Sequence, residues 1–175
     1  YYTKAIEIDT KSSIALSGLG AIYLQKSMPS FAEQALQRAL DVTKGNLNLL
    51  RMLLQSQLEQ KKMNEAEHTA VQMLSLKSDD FSALAVMLQF AKDRNDVKTV
   101  TEYLEKLHVA QPDSSQILEQ LCISHINNKN REIAVQILEQ AVKRVPGNEE
   151  FWQLRFGIEQ ADHSAALNII DRWLV

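Results

Sequence analysis

The chain has 175 residues, enough for a domain with a real core, and 19 basic against 22 acidic residues give a net charge of −3. Hydrophobic residues make up 45% but aromatics only 6%, with 5 glycines, a composition that suits helix built from Leu, Ala and Ile rather than sheet. No basic run exceeds Lys61-Lys62, no apolar run approaches the roughly 18–20 residues of a membrane span, and Cys122 is the one cysteine; a phosphate-tracking surface is therefore not indicated, no stretch reads as a spanning helix, and an intramolecular disulfide is impossible.

Residue types return every 34 positions from Ser13 to Asn148 without a gap. A fixed period of this size marks a solenoid of stacked helix pairs, so the fold class is all-α. Tyr1–Ser12 matches the last 12 columns of the unit and reads as a second helix without its first. Ser13–Lys26 is then an amphipathic helix with Leu16, Leu19, Gly20 and Tyr23 on one face. Ser27-Met28-Pro29-Ser30 breaks it, and Ser30 is placed to cap the next helix, with Glu33 at capping-box spacing. That helix covers Phe31–Thr43 and stops at Gly45-Asn46, read as a left-handed pair.

The second unit, 47–80, has helices over Leu47–Gln60 and Glu65–Leu76, with Asn64 as the expected cap of the latter. The third, 81–114, has Ser82–Lys92 and Val97–Val109 on either side of Asp93-Arg94-Asn95-Asp96. The fourth, 115–148, has Ser115–Ile126 and Arg131–Arg144, closed by Pro146-Gly147-Asn148. A fifth starts on time with Glu149–Gln160, then loses two or three residues from its turn before a final helix over Ser164–Leu174. The prolines, Pro29, Pro112 and Pro146, all fall where the period places turns. The headless first unit and uncapped last one carry two expectations: one array, 1–175, cut from a longer protein, or self-association through the uncapped terminal helices.

Two helices of this length cannot bury their apolar faces alone, and close packing against neighbours needs small residues at the crossings. Gly20, Ala32, Ala35, Ala39, Ala66, Ala134 and Ala141 supply them, while Leu16, Tyr23, Leu36, Leu50, Leu53, Leu74, Leu118, Leu121 and Leu138 fill the space between. A 34-residue helix–turn–helix unit carrying Leu16-x₂-Leu19-Gly20-x₂-Tyr23, then Ala32, Leu36 and Ala39, resembles the tetratricopeptide repeat. The fourth unit repeats the likeness with Leu118, Leu121, Ala134, Leu138, Ala141 and Pro146, and the fifth has Trp152. The tyrosine column departs from it, reading Tyr23, Gln57, Ala91 and His125, and the glycine column keeps one glycine.

The resemblance implies a right-handed superhelix whose concave face is lined by the first helix of each pair and takes extended peptides or helices. Its groove columns read Ile14, Ser17, Ala21, Leu24 and Gln25; Asn48, Arg51, Gln55, Leu58 and Glu59; Ser82, Ala85, Gln89, Lys92 and Asp93; and Gln116, Glu119, Ile123, Ile126 and Asn127. From these the expected partner-binding residues are Leu24, Asn48, Arg51, Gln55, Leu58, Ser82, Gln89, Lys92, Gln116, Glu119, Ile123 and Asn127. Their amides suit the backbone of an extended peptide and their aliphatic side chains its anchors. The columns that would hold a chaperone carboxylate clamp offer no two convergent cations.

No catalytic constellation accompanies them. His68, His108, His125 and His163 lack metal-ligand spacing, and Cys122 and His125, one helical turn apart, both occupy core columns. Glycine-rich phosphate loops and nucleophile elbows are absent. The expectation is a non-catalytic scaffold fragment of a larger protein, with no cofactor or metal, that binds a protein or peptide and no nucleic acid. The rival readings are a docking module of a larger enzyme, as in repeat-bearing glycosyltransferases, and a part of a bacterial secretion or polysaccharide-export system. Neither a cytoplasmic nor a periplasmic location follows from the residues.

Overall fold

The computed structural model of the chain describes residues 12–159, in which every regular element is a helix. In chain order these are α1 (Ser13–Gln25), α2 (Pro29–Val42), α3 (Leu47–Glu59), α4 (Met63–Leu76), α5 (Phe81–Asp93), α6 (Val97–Ala110), α7 (Ser115–Asn127), α8 (Arg131–Arg144) and α9 (Glu149–Glu159). Through α8 they alternate strictly between 13 and 14 residues. The expected second helix over Tyr1–Ser12, apart from Ser12 itself, the shortened fifth turn and the final helix over Ser164–Leu174 lie outside the described residues.

The chain divides into two compact units, Tyr1–Phe90 and Ala91–Val175. In the first, α2 packs on α1, α3 on α2 and α4 on α3, and α1 also meets α3. Leu16, Ala32, Leu36, Ala39, Ala66 and Met73 form its interior, none more than 1% exposed. Gly20 is required by packing: a Cβ there would come within 2.7 Å of Leu36 Cγ and Cδ2, so any side chain would push the two helices apart. In the second, α6, α7, α8 and α9 pack in succession, and α9 also touches α7. Its core joins Leu118, Cys122, Ala134, Leu138, Ala141, Val142, Phe151 and Trp152. The Trp152 indole N–H donates to the Pro146 carbonyl at 2.8 Å, which satisfies the polar edge of a buried ring.

Tyr23 and Leu74 are only half-buried, Tyr23 packing its ring 5.5 Å from that of Phe31. Buried Gln57, Thr69, Thr101 and Ser124, in or beside core columns, find local partners. Gln57 takes the tyrosine position and its Oε1 accepts from Thr69 Oγ1 at 2.7 Å, both side chains buried. Thr101 and Ser124 share a 2.6 Å hydroxyl contact, with Asn128 donating to Thr101. Pairing of this kind removes the cost of an unsatisfied buried group.

First and second helices begin differently. Ahead of each first helix stands a side-chain cap, Ser12, Asn46, Asp80, Ser114 and Asn148, accepting from the backbone N–H of Ala15, of Asn48 and Leu49, of Ala83, of Ile117, and of Glu150 and Phe151. Such caps contribute about 1 kcal/mol each. Ahead of the second helices stand Ser27, Lys61, Asn95 and Lys129, with φ between 54° and 63°. Each lets the next N–H reach back five residues, as Met28 N does to Tyr23 O and Asn130 N to His125 O. That bond closes the preceding helix in the manner of a Schellman motif.

These turns correct four sequence expectations. Asn46 is extended, at φ −78°, and caps α3, so Gly45 alone is left-handed, at φ +75°. Ser30 and Asn64 are not caps: the tight turns start α2 at Pro29 and α4 at Met63, with Met28 and Lys62 at the cap positions. Pro29 is therefore the first helical residue rather than part of the turn, a position that its missing N–H tolerates. Glu33, released from the capping-box role, accepts from Lys62 Nζ at 2.6 Å and Gln60 Nε2 at 2.8 Å.

Candidate functional site

In the first unit the groove columns are largely engaged with one another. Arg51 donates to Asn48 Oδ1 at 3.0 Å and pairs with Asp80 Oδ2 at 2.5 Å. Asp80 is buried and simultaneously caps α5 through Ala83 N, so the guanidinium is held by a side chain that also fixes the next helix. Gln55 Nε2 donates to Glu59 Oε1 at 2.9 Å. Leu24 and Leu58 are half-buried, and Ser82 and Gln89 are exposed. The large cleft of this unit, about 760 Å³, contains none of the twelve expected residues. It opens between α2 and α4 over Leu50, Leu53 and Gln57, on the second-helix side.

The second unit does bring expected residues together. A cleft of about 580 Å³ between α7 and α9 is lined by Gln116, Glu119 and Ile123, and by Ile126 of the same columns. Buried Cys122 lies on the α7 wall, and Glu150, Gln153, Leu154, Gly157 and Ile158 supply the α9 wall. No residue of α8 takes part, so the cleft lies on the first-helix side. Glu150, Gln153 and Gly157 were legible as the same second, fifth and ninth columns carried into the fifth unit; Leu154 and Ile158 lie one position past the last two. A smaller cleft of about 340 Å³ holds Lys92, Ile123 and Asn127, with Lys92 Nζ donating to Gln120 Oε1 at 2.7 Å. Ile123, 48% exposed, belongs to both clefts.

The chemistry of Cys122 is that of a packing residue. Burial pushes its thiol up to about 12, so it is protonated at neutral pH, and its Sγ lies 3.9 Å from the Ala134 carbonyl. His125, also buried, faces Glu105 at 3.6 Å rather than serving as a base for the thiol. Among the described residues no group of three or more His, Cys, Asp or Glu side chains is placed to hold a metal ion.

No protein-family model and no curated sequence matches the chain. Solved structures do. A tetratricopeptide repeat protein from Parabacteroides merdae superposes with a TM-score of 0.67 at 17% identity, over 93% of this chain and 66% of the other. MamA gives 0.65 at 15% identity over 81% and 83%. YrrB, a TPR protein with an unusual peptide-binding site, gives 0.61 at 20% identity over 97% and 80%. The fold is thus the all-α helical solenoid of the tetratricopeptide repeat.

Proposed function

We propose that the chain is a non-catalytic scaffold, one tetratricopeptide array, that binds a peptide or helix of a partner protein along its first-helix face. The observation that carries this reading is the cleft between α7 and α9, where apolar Ile123, Ile126, Leu154 and Ile158 stand among the amides of Gln116 and Gln153. Aliphatic surface can take side chains while the amides, each both donor and acceptor, address a peptide backbone. Partner binding by neighbours of this fold, of which YrrB is named for a peptide-binding site, supports the same direction. The same columns give further proposed contacts within each unit: Leu24, Asn48, Arg51, Gln55, Leu58, Ser82 and Gln89 in the first, Lys92 and Asn127 in the second.

The test is affinity capture from source-cell extract with the wild-type chain beside Leu58→Asp and Ile123→Asp, each checked for an unchanged melting temperature. A protein held by the wild type and lost by the folded variants is the expected result. Equal capture by all three would move the contact to the second-helix side, where the larger cleft between α2 and α4 lies.

A further inference from the structure

We infer that the cleft between α7 and α9 selects a cationic partner: a peptide or helix that inserts an aliphatic or aromatic side chain between Ile123 and Gly157 and flanks it with lysine or arginine. This rests on the first-helix face being the binding face, and adds to it the chemistry of the occupant.

The first support is the shape of the floor. Gly157 occupies the column that holds Ala21, Gln55, Gln89 and Ile123 in the earlier units, and a Cβ built on it meets none of the described residues within 4 Å. Where the other units carry a side chain, this one leaves a gap, bordered by Leu154 and Ile158 on α9 and by Ile123 and Ile126 across on α7. Ile123 and Ile126 are 48% and 37% exposed, so apolar surface faces water on one wall with no side chain at 157 to cover it. Filling that gap with an apolar group removes this surface from water.

Charge supplies the second support. Glu119 and Glu150 line the two walls, both exposed, and among the described residues no lysine or arginine lines the cleft. Neither carboxylate makes an ion pair within the described residues. A nearby cation, Arg131, is committed to the Ile158 carbonyl at the end of α9. An occupant with its own carboxylates would bring like charges together, whereas lysine or arginine would complement both walls and hasten the encounter.

Random peptides displayed on phage and selected on the immobilised full chain provide the probe, followed by affinity measurement of the enriched peptides. The expected peptides carry an apolar residue flanked by lysine or arginine. Their affinity should fall about tenfold or more with Glu119→Lys/Glu150→Lys and should weaken as salt is raised. Gly157→Trp should abolish binding by filling the gap. It should not lower the melting temperature, since its Cβ enters open space and glycine is a poor helix former. Should that variant fold poorly, Ile123→Asp removes the apolar wall facing the same gap. Neutral or acidic peptides that Gly157→Trp or Ile123→Asp blocks, but that ignore the charge reversal, would overturn the inference and leave the first-helix reading standing. Peptides indifferent to Gly157→Trp, Ile123→Asp and Leu58→Asp alike, or no enrichment at all, would overturn both.

Discussion

The same columns of the repeat do different work in the two units. In the first, the polar groups are spent internally: Arg51 on Asn48 and Asp80, Gln55 on Glu59. In the second, Glu119 and Glu150 make no ion pair within the described residues and stand around exposed isoleucines. A repeat therefore fixes which positions face outward, not whether their hydrogen-bonding capacity is left for a partner. In the first unit that face carries internal hydrogen bonds and an ion pair; in the second its carboxylates are left outside the ion pairs of the described residues.

The largest effect should appear where the units agree. Ala134 is fully buried in the α7–α9 core, and Ala134→Trp should cost about 1–3 kcal/mol by overpacking. Gly20→Leu should act similarly in the first unit through Leu36. Thermal melting checks both, and an unchanged melting temperature in either would break the shared register. The units should then part. Asp80→Ala removes a helix cap and the partner of Arg51, and should cost about 1–2 kcal/mol in denaturant melts, since half-exposed Arg51 can return to water. A cost near zero would mean that the first unit's face is not structural.

A pH effect should come from the second unit. Burial, and then the nearby Arg144 charge, hold His108 below the usual histidine range, against an opposing pull from Asp113. The unfolded chain therefore binds the proton more readily, so this contribution is complete above about pH 6.5 and is lost as pH falls below it. His108→Gln should flatten the acid side of a melting-temperature profile, and a profile as steep as the wild type's would remove His108 as the cause. The smallest effect should be Glu119→Gln, within about 0.5 kcal/mol in stability, because its carboxylate supports nothing in the fold. A larger loss would make it structural and erase the contrast with Asp80.

Much of this was legible. The helix pairs, the small-residue contacts and the buried thiol followed from the period, and the described helix ends fall within two residues of expectation. The cap column, Ser12, Asn46, Asp80, Ser114 and Asn148, was also readable, since every member is a capping type at the same spacing. The turn column was not. Ser27, Lys61, Asn95 and Lys129 include no glycine, and only the bond from the next N–H back over the helix end pulls them to positive φ. That turn also displaced Ser30 and Asn64 from their expected roles.

What the sequence determined by itself were the features decided within one or two helical turns: which residues are helical, which face is apolar, and where the unit repeats. What the tertiary structure decided was the use of each polar group. Arg51 and Asp80 are 29 positions apart, as are Glu33 and Lys62, and Glu119 and Gly157 further still. Contacts over such separations depend on how the helices stack, which the local pattern of side chains does not encode. The acid-rimmed gap between α7 and α9 is of that kind: an absent side chain on one helix acquires meaning only when the other helix is placed beside it.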